Sequence, residues 1–190
     1  QGDREKRAIW AKVIQRRVEM GYPYILFTDT INNNKPEWYH DYPITHSNLC
    51  SEIMLPDNDH WSFVCNLSSM NVLHYNEWKD TDAVETMIYF LDAVMSEFIE
   101  KLEKLRDSDQ FEYREAFHFM ERAYNFAVEN RALGLGVLGW HSLLQSNLIA
   151  FESEEASYLN EEIHRTIKER AEKASSELAE LFGEPLILKG

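Results

Sequence analysis

Cysteine is scarce in this chain of 190 residues, which contains only Cys50 and Cys65. Two cysteines without a CxxC spacing exclude a disulfide-stabilised scaffold and a zinc ribbon, and favour a reducing cytoplasmic location. No apolar run approaches the roughly 20 residues that a membrane-spanning helix needs. Basic residues are also few, with 19 Lys and Arg against 33 Asp and Glu and a formal net charge of −14. Because a negative field repels phosphate backbones and anionic lipid, we expect no DNA, RNA or membrane partner.

Several common catalytic and metal-binding motifs are missing as well. The seven histidines form neither HxH nor HExxH, and no group of Cys and His has the spacing of zinc ligands. GxSxG and the P-loop are absent, and the N-terminal residues do not resemble a signal peptide. The sequence therefore predicts no metal bound by this chain.

The apolar pattern predicts a helix-rich α/β protein. Helical spacing favours helices over residues 4–20, 80–106, 112–130 and 141–146, and a last long helix between an N-cap at Ser153 and a C-cap at Gly183. β-forming residues predict strands over 24–28, 61–72, 133–139 and 186–188. The alternation is typical of α/β architecture, but the strands are too few to close a sheet or barrel. With no linker and no repeat, we expect residues 1–190 to be one piece of a larger domain, without a separate second domain.

The segment with the most chemical groups is Ser47-Asn48-Leu49-Cys50-Ser51-Glu52-Ile53. Residues 45–55 are predicted to form an extended finger, so that Asn48, Cys50 and Glu52 share one face at about 6.5 to 7 Å spacing. An amide, a thiol and a carboxylate in a row can contact adjacent groups of one small substrate. The alternative is a buried structural cysteine between two ordinary polar residues.

Two other segments each have two interpretations. Cys65 lies in a strand-like segment and either approaches Cys50 or a common cavity, or serves as a small buried hydrophobe. Gly134, Gly136 and Gly139 match GxGxxG, but Leu and Val fill the gaps and the acidic residues downstream fit the dinucleotide fingerprint poorly. We therefore interpret these glycines as residues that allow close packing of helices on a strand.

Three motifs in the same order resemble the large subunit of class I ribonucleotide reductases. Asn48–Ile53 is similar to the N-L-C-x-E-I finger-loop motif of that family. Cys65-Asn66-Leu67-Ser68 resembles the context of its second active-site cysteine, and Arg131–Trp140 resembles its R-x-L-G-x-G-V segment. The resemblance extends over nearly the whole chain, and corresponds to the middle of a catalytic subunit that is several times longer. It implies part of a ten-stranded α/β barrel with a central finger loop near residues 45–56.

The resemblance also implies roles for particular residues. Cys50 corresponds to the thiyl radical site that removes the ribose 3′-hydrogen, and Glu52 to the base at the 3′-hydroxyl. Asn48 would bind the ribose hydroxyls, and Ser47 is a weaker candidate for a substrate contact. Cys65 corresponds to one of two thiols that reduce the 2′ position and become a disulfide. The substrate would be a ribonucleoside diphosphate.

The same resemblance implies partners that this chain does not contain. A metal-containing small subunit would generate the radical, and a thioredoxin- or glutaredoxin-type protein would supply electrons, so we expect no cofactor bound by this segment itself. The family's partner cysteine for Cys65 lies in a preceding segment. We therefore expect an oligomer assembled with flanking large-subunit segments, and no activity of the chain alone. The alternatives are a non-catalytic fragment or paralogue that binds a reductase, and a segment of a cobalamin-dependent class II reductase.

Overall fold

The computed structural model describes residues 3–189. They form two compact units, and the boundary between the units in the sequence lies between Asp57 and Asn58. The first unit begins with α1, Arg4–Met20, as predicted. Asp3 caps this helix by accepting a hydrogen bond from the backbone N–H of Glu5. Gly21 ends it in the left-handed conformation, with a φ of 76°, which glycine adopts without the penalty of a Cβ.

The predicted strand over residues 24–28 is wrong. Residues 24–27 have no regular secondary structure, and Thr28 begins helix α2, Thr28–Asn33. A short 3₁₀ helix, Glu37–Tyr39, follows. The side chain of Asn32 bonds to both backbone groups of Ile44. It accepts from the Ile44 N–H at 2.9 Å and donates to the Ile44 carbonyl at 2.8 Å. The β-forming composition of residues 24–27 therefore does not produce a paired strand.

The second unit contains a two-stranded parallel sheet and five α-helices among its described residues. Strand β1, Leu67–Asn71, pairs with β2, Gly134–Leu138, with Leu67 opposite Gly134 and Asn71 opposite Leu138. The connection between the strands contains α3 (Tyr75–Trp78), α4 (Ala83–Arg106) and α5 (Phe111–Asn130). After β2 come α6 (Trp140–Ser146) and α7 (Glu154–Phe182), and the Ser153 hydroxyl caps α7 as predicted. A parallel pair joined by helices confirms the α/β class.

Two strand predictions in this unit need correction. Only residues 67–71 of the predicted strand over 61–72 enter the ladder, because that is where β2 runs alongside. Residues 186–188, predicted to begin a strand, form a 3₁₀ helix instead. Pro185 fixes the entry of that segment, and its carbonyl accepts from the backbone N–H of Leu188 at 3.0 Å.

The core of the second unit lies where the end of β1 meets helices α6 and α7. Its buried residues are Met70, Val72, Tyr75, Trp78, Val84, Leu143, Ile163 and Ile167. Polar groups at its border are satisfied, since Trp78 Nε1 donates to the Asn71 carbonyl at 2.9 Å and the Tyr75 hydroxyl donates to Glu162 at 3.0 Å. This core therefore packs against the C-terminal end of β1, which contributes Met70.

Tyr39 in the first unit predicts a sensitivity to alkaline pH. Burial raises the pKa of Tyr39 to about 12. The unfolded chain therefore loses this proton near pH 10 while the folded chain keeps it, so the contribution is intact below pH 10 and is lost as the pH rises to about 12. We expect Tyr39→Phe to remove up to about 2 kcal/mol of the stability loss between pH 9 and pH 11.5 in urea unfolding followed by circular dichroism. Equal losses in the two proteins would contradict this assignment.

Candidate active site

The segment that carries Cys50 is a closed turn, which we call the Cys50 loop and define as residues 48–53. The carbonyl of Asn48 accepts from the backbone N–H of Ser51 at 3.1 Å, and its own N–H donates to the Ile53 carbonyl at 3.3 Å. The Asn48 side-chain oxygen accepts from the N–H of Ile53 at 3.0 Å. The Ser47 hydroxyl donates to the Asn48 carbonyl at 2.9 Å. Cys50 lies at the tip of this loop and is exposed.

The extended finger predicted for residues 45–55 is therefore wrong at its tip. Residues 49 and 50 form a turn, and Ser51 has a φ of 66°, in the left-handed region. The two-residue periodicity of a strand does not apply across such a turn, so the shared face that we inferred from strand spacing does not hold. The structure does gather Asn48, Cys50 and Glu52 within one six-residue loop, with Ser47 directly before it. Their joint contact with one substrate stays a prediction.

Aromatic and apolar side chains of the first unit border this loop. The rings of Tyr22 and Tyr24 lie with their centroids 5.0 Å apart. The pKa of Tyr24 lies above its usual value, mainly because of its hydrogen bond with Tyr22 and the charge on that group, with a smaller contribution from the charge of Cys50. A cavity of about 400 Å³ beside the loop is lined by residues that include Phe27, Ser51 and Met54. The cavity beside the Cys50 loop is thus lined largely by apolar side chains.

Cys65 lies in the second unit, two residues before β1, and is exposed. The next residue, Asn66, is buried and donates from Nδ2 to the carbonyl of Leu91 in α4 at 2.9 Å. The backbone carbonyl of Asn66 accepts from the N–H of Gly134 at 3.0 Å. Helix α4 and strand β2 therefore both hold Asn66, the residue that follows Cys65. Whether Cys65 and Cys50 share a cavity stays a prediction.

A polar cluster that the sequence analysis missed anchors the segment leading to Cys65. Glu129 on α5 accepts from Trp61 Nε1 at 2.9 Å and lies 2.7 Å from His60 Nε2. Arg122 donates to the carbonyls of Asn58 and Trp61 at 2.6 and 3.0 Å. These partners are more than 60 residues apart in sequence, so no local pattern could have indicated them. The cluster therefore ties the backbone at Asn58 and Trp61 to helix α5.

The glycines were interpreted as allowing helices to pack on a strand, but the atoms nearest to Gly134 and Gly139 belong to Leu67 and Asn71 of strand β1. A Cβ at Gly134 would collide with the side chain of Leu67 on the neighbouring strand. At Gly139 a Cβ would lie 2.5 Å from Asn71 Oδ1, and its φ of 82° also disfavours other residues. Gly139 is restricted both by its positive φ at the turn into α6 and by Asn71, whereas at Gly134 the obstacle is the movable end of the Leu67 side chain.

Residues 3–189 contain neither a cluster suited to a metal ion nor a helix suited to a membrane span. Within this range no group of three or more His, Cys, Asp or Glu side chains is arranged to hold a metal ion. None of the described helices combines the length and the apolar character needed to cross a membrane.

Residues 3–186 match the family described as "Ribonucleotide reductase, barrel domain". The chain therefore belongs to this family, and the matched range includes most of both units. It is 36% identical over 97% of its length to the putative ribonucleoside-diphosphate reductase large subunit of Frog virus 3, and 34% identical over 93% to that of Invertebrate iridescent virus 3. The Actinobacillus ureae class Id ribonucleotide reductase alpha subunit superposes with a TM-score of 0.86, at 52% identity over the whole chain.

The chain spans about a quarter to a third of these proteins, covering 31% and 26% of the two viral subunits and 34% of the solved chain. The resemblance to class I large subunits is confirmed, and so is the expected fold of a partial α/β barrel. The parallel strands β1 and β2 are the part of the barrel sheet that this chain forms within its described residues.

Proposed function

We propose that this chain is the central catalytic segment of a class I ribonucleoside-diphosphate reductase large subunit. The observation that carries the proposal is Cys50 itself, an exposed thiol at the tip of a braced loop in a chain of the reductase barrel family. We further propose that residues 1–190 form one continuous part of the barrel domain. The family match across both compact units supports this view.

In the proposed reaction Cys50 carries a thiyl radical. The C3′–H bond of the ribose breaks and the S–H bond of Cys50 forms, which leaves the radical on the substrate. Glu52 accepts the proton of the 3′-hydroxyl, while Asn48 and, more weakly, Ser47 orient the ribose. The hydrogen returns from Cys50 to C3′ at the end, which regenerates the radical. Glu52 and Cys50 are two residues apart on one loop, which supports their action on neighbouring atoms.

Replacement of the 2′-hydroxyl by hydrogen, with release of water, requires two electrons and two protons, and the proton held by Glu52 returns to the 3′-oxygen when C3′ regains its hydrogen. In the proposal the two electrons and two protons come from Cys65 and a second cysteine of the complete large subunit, which together become a disulfide. The hydrogen bonds of Asn66 to α4 and β2 support this role for Cys65, because they fix the backbone beside its thiol. A thioredoxin- or glutaredoxin-type protein then reduces the disulfide.

The proposed partners follow from this reaction. The substrate is a ribonucleoside diphosphate, the radical comes from a metal-containing small subunit, and the flanking segments of the large subunit complete the barrel. We propose a cytoplasmic location because the reductants of this reaction are thiol proteins of a reducing compartment.

Reconstitution tests the proposal. The chain is mixed with flanking large-subunit segments, a small subunit and a dithiol reductant, and formation of deoxycytidine diphosphate from CDP is measured. We expect product in the complete mixture and none when this chain is omitted. A complete mixture that assembles by sedimentation and forms no product would contradict the proposed activity.

A further inference from the structure

We propose that Asn48 is a positioning residue that closes the Cys50 loop before any substrate binds. The proposed function gives Asn48 only a contact with the ribose. The additional role rests on the proposed function only in treating Cys50 as the radical carrier, because the loop geometry stands without it.

Asn48 makes the hydrogen bonds that close the base of the loop. Its backbone N–H and its side-chain oxygen both bond to Ile53, at the opposite end of the loop. The side-chain bond is the shorter of the two, at 3.0 Å against 3.3 Å, and it is the one that a substitution can remove. The Asn48 carbonyl closes the inner turn through the N–H of Ser51. One residue therefore holds both ends of the segment that presents the thiol.

The conformation of Ser51 explains why the loop needs this brace. Its φ of 66° is in the left-handed region, where a Cβ crowds the following carbonyl oxygen. An unbraced loop would relax towards backbone conformations that serine prefers, and this relaxation would move the adjacent Cys50.

Hydrogen exchange in the substrate-free chain isolates this role from substrate binding. The readout is the exchange rate of the Ile53 amide in the wild type, Asn48→Ala and Asn48→Asp, measured by NMR. Asn48→Ala removes the acceptor, so we expect exchange at Ile53 to accelerate roughly tenfold, as for the loss of one hydrogen bond. Asn48→Asp keeps an oxygen at the same place, so we expect its exchange to stay within about threefold of the wild type.

Two internal comparisons make the test specific. The Ile44 amide, held by Asn32 in the same unit, reports whether that unit stays folded. Asn34→Ala is the matched control variant, because it removes a side-chain bond to the Thr30 carbonyl far from the loop in sequence. We expect neither the Ile44 rate in Asn48→Ala nor the Ile53 rate in Asn34→Ala to change.

Three results would overturn the proposal. They are an unchanged Ile53 rate in Asn48→Ala, equal acceleration in Asn48→Asp and Asn48→Ala, and equal acceleration at Ile44 and Ile53. The proposed function fails by a different measurement, the absence of nucleotide reduction by the assembled wild type. Each can therefore be rejected while the other stands.

Discussion

Replacement of Cys50 by serine is expected to abolish nucleotide reduction in the reconstituted assembly. The sulfur is the atom that carries the radical in the proposed reaction, and a serine O–H bond is too strong to be converted to the corresponding oxygen radical by the same donor. Because Cys50 is exposed at the loop tip and serine has a similar size, the fold should not change. We expect the rate of CDP reduction to fall by at least roughly a thousandfold, which corresponds to loss of the main chemical step.

Cys65→Ser is the matched control, since it makes the same substitution at the only other cysteine. Hydrogen removal precedes reduction in the proposed sequence, so this variant should still exchange the hydrogen at C3′ while it forms no deoxynucleotide. Substrate labelled with tritium at C3′ separates these steps. Deoxynucleotide formation by Cys50→Ser above the background of a mixture without the chain would reject Cys50 as the radical site.

The helices could be predicted from the sequence because their signals are local. Helix α1 begins and ends at the predicted residues, with Asp3 and Gly21 as its caps. Helix α4 begins at Ala83 rather than near Asp80, and its apolar stripe defines its buried face as expected. A 3.6-residue period and capping residues are read within one segment, and tertiary contacts only shift the ends.

The strands were predicted less well because pairing depends on residues far away in sequence. Leu67 pairs with Gly134, and nothing near Leu67 indicates where the ladder begins. Residues 24–27 have β-forming composition and remain unpaired. β-propensity describes a side chain that suits a half-buried extended backbone, and it does not specify a neighbour.

The site was located by motif, and its conformation was not. The order of amide, thiol and carboxylate identified Asn48, Cys50 and Glu52. The prediction that they lie on an extended strand was wrong, because residues 49 and 50 form a turn. The turn depends on a left-handed serine at position 51, where glycine or asparagine would have been the usual signal. The hydrogen bond from the Ile53 N–H to the Asn48 side-chain oxygen closes this turn, and the sequence pattern could not indicate it.

Replacement of Glu52 by glutamine is expected to preserve substrate binding and remove most turnover. Glutamine has nearly the same shape and still accepts hydrogen bonds, but it does not take up the proton of the 3′-hydroxyl. Positioned general bases contribute roughly 10²- to 10⁴-fold, so we expect kcat to fall by at least about a hundredfold. KM for CDP should change by no more than a few-fold. Steady-state kinetics of the reconstituted assembly measures both constants.

Glu37→Gln is the control for this variant, because Glu37 is an exposed glutamate of the same unit that lies outside the Cys50 loop. It should leave both constants unchanged. A raised KM with normal kcat in Glu52→Gln would mean that Glu52 binds the ground state and the transition state equally, which is not the behaviour of a base. The base would then have to come from elsewhere in the assembled subunit, and the loop would retain only the radical chemistry of Cys50.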